Sequence, residues 1–128
     1  MKTRVLIVDD HPTYRHLLIA AAESRGFRVL PPVERASDAI ECFKREQPEV
    51  VILDLHLPGE VDAFALSEFM LDLAGNTRIV AASSFSESGL VDRAFQRGAH
   101  RCLRKPFHMD EAQRLFDHLS RELHPVAV

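Results

Sequence analysis

The amino-acid sequence predicts an α/β fold in which five helices cover both faces of a doubly wound, five-stranded parallel sheet of order 2-1-3-4-5. Short apolar runs alternate with longer amphipathic segments along the 128 residues, which is typical of repeated strand–helix units. Pro31 and Pro32 lie in the second apolar run, and because proline donates no backbone hydrogen bond, this run is predicted to be an edge strand. Asp9 and Asp10 follow the first run and Asp54 closes the third, where neighbouring strands would end at a ligand-binding crevice.

Residues that start or stop helices bound the predicted elements. Pro12 suits a first helical turn and Gly26 stops a helix, so the first helix is predicted between them. Ser37 is predicted to cap the second helix, and Pro48 blocks its continuation. The residues of the first helix predicted to face the sheet are Tyr14, Leu17, Leu18 and Ala21. The other helices are predicted over residues 63–74, 87–97 and 109–123, and the strands over residues 4–8, 28–33, 50–53, 78–82 and 101–104.

Composition indicates one globular domain over residues 1–123, followed by a short tail over residues 124–128. Apolar residues make up 46% and charged residues 27% of the chain, which argues against disorder and against a membrane partner. The net charge of -3 argues against direct nucleic-acid binding, which normally requires a basic face. Cys42 and Cys102 lack metal-binding spacing, and the first apolar run is too short for a signal peptide, so the expected location is the cytoplasm.

The three carboxylates Asp9, Asp10 and Asp54 predict an acidic pocket. Like charges that are packed together repel one another unless a cation lies among them. Carboxylate oxygens in a partly hydrated site suit Mg²⁺, which also screens a carboxylate sufficiently for it to attack a phosphoryl group. The pocket is therefore interpreted as a phosphoryl-accepting site.

Four sequence blocks occur in a fixed order, each at a predicted strand end: VLIVDDHP, VVILDLHLPG, a serine after the fourth strand, and LRKPF. Together they resemble the receiver domain of two-component response regulators over residues 2–123, and among these most nearly a single-domain, chemotaxis-regulator-like protein. The resemblance implies a flavodoxin-like fold and a phosphorelay switch rather than an enzyme. The chain is expected to be either a single-domain regulator or a receiver excised from a longer protein, and its start and short tail favour the first.

The resemblance also implies a role for each acidic residue. Asp54 would be the phosphoacceptor, forming an acyl phosphate on its carboxylate. Asp10 would ligate Mg²⁺ directly and Asp9 through water, with the backbone carbonyl of His56 as a third protein oxygen. The histidines show no transition-metal spacing, so the imidazole of His56 is expected to be solvated or packed.

Lys105 corresponds to the lysine of the family that pairs with the phosphoacceptor and later with a phosphoryl oxygen. The family carries a cis peptide bond between this lysine and the next proline, here Pro106, and the sequence permits that geometry. Ser83 corresponds to the switch hydroxyl that bonds the phosphoryl group. Ser84 remains an alternative because the family usually has alanine there.

Two positions depart from the family pattern. Cys102 stands where most receivers have Tyr or Phe, so output coupling is expected to be weaker or to be carried by Phe85, Phe107 or backbone shifts. The loop over residues 58–63 is one residue longer than usual and has Ala63 in place of the common glycine. His56 and Phe85 are expected to border the path of the attacking water and so to set the phosphoryl lifetime.

The expected function is a signalling switch that acts through protein contact. The expected partners are a histidine kinase or phosphotransfer protein and a downstream target protein, with a second copy of the chain as a further candidate. A receiver-like docking module that is not phosphorylated remains the alternative. An aspartyl-phosphate phosphatase ranks lower, because the two acidic residues of its motif would be separated by one residue, whereas Asp9 and Asp10 are adjacent. A flavodoxin-like cofactor module also ranks lower, because no phosphate-binding loop follows Val8 in this sequence.

Overall fold

Five parallel strands form one sheet in the order β2-β1-β3-β4-β5, as predicted. The computed structural model describes residues 2–58, 62–84 and 88–125. The strands are β1 Arg4–Val8, β2 Arg28–Val29, β3 Val50–Asp54, β4 Arg78–Ser84 and β5 Arg101–Lys105. The helices are α1 Pro12–Ser24, α2 Ala36–Glu46, α3 Ala63–Leu73, α4 Ser88–Gln96 and α5 Met109–Leu123.

Strand β2 lies at an edge of the sheet and is shorter than the predicted segment 28–33. Regular pairing with β1 ends at Val29, and after Pro31 and Pro32 the chain returns for a single bridge between Val33 and Val8. Proline offers no N–H for the ladder, so the two prolines interrupt the pairing. The edge position is confirmed, and the predicted length is corrected.

Alternating strand residues build a separate core on each face of the sheet. In β1, Val5 and Ile7 pack towards α1 and α5, whereas Leu6 and Val8 pack towards α2 and α3. Helix α4 covers the same face as α3, because its Ala94 shares a third cluster with residues of α3 and β4. Strand β3 is buried along its whole length, as expected of a central strand covered on both faces.

The backbone conformation of the preceding residue sets where α2 and α3 begin, since that residue is extended in both cases. Helix α1 begins at Pro12, as predicted, and the carboxylate of Asp62 caps α3 by accepting the Ala65 N–H at 2.8 Å. The prediction that Ser37 caps α2 is wrong. The extended residue before α2 is Arg35, so Ser37 already lies inside the first turn, where its side chain is exposed.

Three strands continue further than their apolar runs indicate. Strand β3 includes Asp54, β4 runs to Ser84 and β5 runs to Lys105. Ladder hydrogen bonds join backbone groups, so pairing continues into polar residues as long as the neighbouring strand does too. Asp54 therefore pairs with Ala82, and Ser84 pairs with Lys105, which holds the functional positions in the sheet.

His100 extends the pairing of β4 with β5 by one residue. Its backbone N–H donates to the Ile79 carbonyl at 2.8 Å, and its ring Nδ1 accepts the Ile79 N–H at 3.0 Å. Burial lowers the pKa of His100 below its ordinary value, and the nearby Arg78 adds to this effect. The folded protein therefore favours the neutral imidazole, which can accept this hydrogen bond.

The turn after α4 depends on glycine. Gly98 has φ +113, a conformation that side-chain-bearing residues rarely adopt, and a Cβ there would overlap the side chain of Leu71. The close approach lets α3 and the turn pack together.

None of the helices that the described residues form is long and apolar enough to cross a membrane.

Candidate functional site

Three carboxylates converge at the carboxyl edge of the two central strands. Asp9 and Asp10 directly follow β1, and Asp54 is the last residue of β3. One carboxylate oxygen from each residue lies within 4.8 Å of the other two. Asp9 and Asp54 are almost completely buried, at 1% and 4% exposure, whereas Asp10 is exposed. The site is therefore open to solvent at Asp10 and closed at the other two residues.

Backbone N–H groups orient both buried carboxylates. The N–H of His11 donates to Asp9 Oδ1 at 2.8 Å, and the N–H of His56 donates to Asp54 Oδ1 at 2.9 Å. Each aspartate thus accepts a hydrogen bond from the residue two positions further on, as in an Asx turn. The Oδ2 atoms of both carboxylates remain for other partners.

Lys105 supplies the positive charge of the site from the end of β5. Its Nζ lies 2.9 Å from Asp9 Oδ2 and 3.4 Å from Asp54 Oδ2, and its side chain is only 12% exposed. The peptide bond to Pro106 is cis. These distances show that Lys105 pairs with Asp54. The distance from Lys105 to Asp9, a contact that was not predicted from the sequence, is shorter than the distance to Asp54.

The charge in the site is incompletely balanced. Burial raises the pKa of Asp54, and the neighbouring Asp9 raises it further, against the opposing effects of the His56 N–H and the Lys105 ammonium. Asp9 Oδ2 is buried and, although close to Lys105, meets no donor in hydrogen-bonding geometry within the described part of the chain. Within the described part of the chain, Lys105 is the residue that forms ion pairs with this cluster of three carboxylates.

These donors fit a magnesium ion. Mg²⁺ prefers oxygen ligands and keeps several of its waters, so it needs only a few carboxylates and an opening to solvent. The cluster of Asp9, Asp10 and Asp54 provides the oxygens, and the exposed Asp10 provides the opening. The buried Asp9 oxygen without a hydrogen bond is an acceptor that such an ion, or one of its waters, could satisfy.

An aromatic group on α1 completes the surroundings of Lys105. The ring centroid of Tyr14 lies 4.6 Å from Lys105 Nζ, which is a cation–π distance. The same ring packs between His11, at 4.9 Å, and Phe107, at 5.0 Å. Tyr14 was predicted from the sequence to face the sheet, but no functional role was predicted for it. Its position four residues after Asp10, in the first turns of a helix that starts beside the site, was the available signal.

The serines near the site differ in burial. Ser83 is fully buried in β4, and its hydroxyl donates to the Ser84 carbonyl at 3.4 Å, whereas Ser84 is half-buried. The choice of Ser83 as the switch hydroxyl stays a prediction, as does the role of the His56 carbonyl as a metal ligand. Phe85 and residues 59–61 of the loop over residues 58–63 lie outside the described residues.

Cys102 lies in β5, within a groove of about 570 Å³ between α4 and α5. Val91 and Phe95 line one wall and Leu115 the other. The thiol is partly exposed, and burial raises its pKa, so it remains protonated at neutral pH. A small, protonated thiol thus occupies the position at which the sequence departs from the family pattern.

Comparison with known proteins agrees with this architecture. Residues 5–117 match the family model of the response regulator receiver domain. The chemotaxis protein CheY of Bacillus subtilis is 30% identical over 110 residues, which cover 86% of this chain and 91% of that protein. Sporulation initiation phosphotransferase F of the same organism is 27% identical over 111 residues, which cover 87% of this chain and 88% of that protein. The crystal structure of the receiver domain of NtrX from Brucella abortus superposes with a TM-score of 0.83 at 26% identity, covering 95% of this chain and 99% of that one. With its acidic cluster, its lysine and its strand order, the chain belongs to the response regulator receiver domain family of two-component signalling.

Proposed function

We propose that this receiver domain is a phosphorylation-dependent switch whose Asp54 accepts a phosphoryl group from a histidine kinase or a phosphotransfer protein. Receiver domains are signalling modules rather than classical enzymes, and such proteins are their usual partners. The arrangement around Asp54 carries the proposal. Its carboxylate is held by the His56 N–H and has the Lys105 ammonium 3.4 Å from its other oxygen.

Mg²⁺ is the proposed cofactor. Asp10 would ligate it directly, since its carboxylate is exposed, whereas Asp9 already faces Lys105 and would act through water. The backbone carbonyl of His56 is proposed as the third protein oxygen. When bound, the ion would neutralise carboxylate charge and screen the incoming phosphoryl oxygens.

In the proposed step, a carboxylate oxygen of Asp54 attacks the phosphorus atom of a phosphohistidine. The new P–O bond forms as the P–N bond breaks, and the donor histidine keeps the electron pair of the broken bond. Lys105 is proposed to neutralise a phosphoryl oxygen, and the contacts of its ammonium with Asp9 and Asp54 support this role. The hydroxyl of Ser83 is proposed to bond the phosphoryl group after transfer.

The proposed output is a change on the face formed by α4, β5 and α5, which a downstream target protein or a second copy of the chain would bind. Charge that arrives at Asp54 would bias two arrangements of this face, as in other electrostatic switches. The groove beside Cys102 lies on this face. A thiol there offers no large ring to swing inwards, so Phe107 and backbone shifts are proposed to carry the signal.

The test is the intact mass of the protein after incubation with Mg²⁺ and a small acyl-phosphate donor. We expect a gain of one phosphoryl group in the wild type and in an Asp38→Asn control, which alters an exposed carboxylate of α2. Asp54→Asn should show no gain, and chelation of the metal should abolish the gain in the wild type and in the Asp38→Asn control. Folded wild-type protein that gains no mass with Mg²⁺ would contradict the proposal and favour the docking module. Retention of the gain by Asp54→Asn would contradict Asp54 as the acceptor.

A further inference from the structure

The ammonium of Lys105 is surrounded on three sides by different partners. Asp9 Oδ2 lies at 2.9 Å, Asp54 Oδ2 at 3.4 Å and the ring centroid of Tyr14 at 4.6 Å. The two carboxylates belong to the proposed transfer site, whereas nothing so far assigns a function to the ring. The side chain of Lys105 is only 12% exposed, so the ring faces a cation that is largely removed from water.

The two carboxylates alone would not hold Lys105 beside Asp54. Asp9 is the nearer of the two, and it is also one of the carboxylates that would face a bound cation. A divalent ion would therefore compete with the ammonium for Asp9. The face of an aromatic ring attracts an ammonium group but is no ligand for a hydrated Mg²⁺ ion, so this attraction persists when the carboxylates change partners.

The position of the ring is fixed independently of the lysine. Tyr14 extends from α1, which begins beside the site at Pro12, and its ring lies between His11 and Phe107 at centroid distances of 4.9 and 5.0 Å. Phe107 is buried, and it follows Lys105 by two residues. The ring is thus supported on two sides by aromatic groups other than the lysine and the carboxylates.

We propose that Tyr14 is a positioning residue for Lys105, holding the ammonium beside Asp54 while a cation and a phosphoryl group occupy the site. The inference rests on the proposed function, since it concerns the same transfer. It requires the aromatic ring and not the hydroxyl group. Phenylalanine should therefore replace Tyr14, and leucine, which is apolar but has no ring, should not.

The experiment compares wild type, Tyr14→Phe and Tyr14→Leu, each with Lys105 intact and with Lys105→Met. The first measurement is the NMR shift of the Lys105 side-chain methylene protons, which a nearby ring displaces. The displacement should be present in the wild type and in Tyr14→Phe, and absent in Tyr14→Leu. The second is the rate of phosphorylation by an acyl phosphate with Mg²⁺. We expect Tyr14→Leu to be about fivefold slower, which corresponds to about 1 kcal/mol, and Tyr14→Phe to remain near the wild-type rate.

The Lys105→Met background separates positioning from a general structural role. If Tyr14 acts through Lys105, Tyr14→Leu should cause no further loss once the lysine is absent. An equal loss in both backgrounds would overturn the inference, as would an undisplaced Lys105 signal in the wild type. A wild-type rate in Tyr14→Leu would overturn the inference alone and leave the proposed function standing. A wild type that is not phosphorylated would overturn the proposed function, and the positioning role with it.

Discussion

Replacement of Lys105 by methionine should destabilise the protein strongly, and Mg²⁺ should reverse much of the loss. Methionine keeps a long, unbranched side chain but removes the ammonium that lies 2.9 Å from Asp9 and 3.4 Å from Asp54. Both carboxylates are buried, and among the described residues they would retain their backbone donors, the N–H groups of His11 and His56. The substitution therefore leaves two like charges close together without their counter-ion.

The expected loss follows from the burial of these groups. Removal of one partner from a buried ion pair costs about 3–5 kcal/mol, because the remaining charge stays out of water. We expect about 3 kcal/mol at neutral pH, since Asp10 keeps the site open to solvent on one side. For a domain of this size, this corresponds to a decrease in Tm of about 10 °C.

Thermal and urea unfolding, with and without millimolar MgCl₂, provide the assay. Mg²⁺ should stabilise Lys105→Met more than the wild type, because the ion meets no competing ammonium in the variant. The loss should also shrink as the pH falls from neutral. Burial already raises the pKa of Asp54, so its protonation at lower pH removes one of the two unpaired charges.

Lys2→Met is the matched control, because Lys2 is exposed. It should change stability by less than about 0.5 kcal/mol, and Mg²⁺ should act on it as on the wild type. If Lys105→Met were as stable as this control, or if Mg²⁺ raised the Tm of both variants equally, Lys105 would not be the counter-ion of the two buried carboxylates.

Three further predictions concern stability outside the site. Gly98→Ala should lower the free energy of unfolding by about 3 kcal/mol, because it adds a Cβ at positive φ against the side chain of Leu71. Gly89→Ala is the control, because a Cβ there meets open space in α4, and it should leave the stability unchanged or raise it slightly. Urea unfolding measures both variants. Because the pKa of His100 is lowered in the folded state, the unfolded chain binds the proton first as the pH falls. The free energy of unfolding should therefore decrease as the pH drops below about 6.5. His100→Asn should show a smaller decrease in Tm than the wild type between about pH 7 and pH 5. Asp62→Ala removes the N-terminal cap of α3 and should lower the free energy of unfolding by about 1 kcal/mol. Ser37→Ala should have almost no effect on stability, because Ser37 does not cap α2. Equal losses of stability in the two variants would refute this assignment of the caps.

Local patterns predicted most of the fold and the convergence of the three acidic residues. Pro31 and Pro32 indicated an edge strand, since a residue without an N–H group cannot pair in a central strand, and the strand order followed. The acidic residues at the ends of two apolar runs indicated the pocket, because parallel strands that are neighbours end at the same edge of the sheet. These inferences require only the chemistry of single residues and the periodicity of short segments.

Other predictions failed at the ends of helices and strands, for two different reasons. Ser37 has the right chemistry for a cap, but the backbone already turns into the helix after Arg35. The predicted ends of β3, β4 and β5 were too early, because backbone pairing with a neighbouring strand continues into polar residues. The pairing with a neighbouring strand is not visible in the sequence of the segment itself.

The sequence by itself predicted the order of the strands and the pocket of acidic residues, and its resemblance to the receiver family predicted the family and the role of Lys105. Only the tertiary structure decided that Lys105 lies closer to Asp9 than to Asp54, and that Tyr14 covers the ammonium. These distances depend on the register between β4 and β5 and on how α1 packs against the sheet. A local pattern specifies which groups a segment presents, but the separation between groups on different segments is set by the packing of the whole domain.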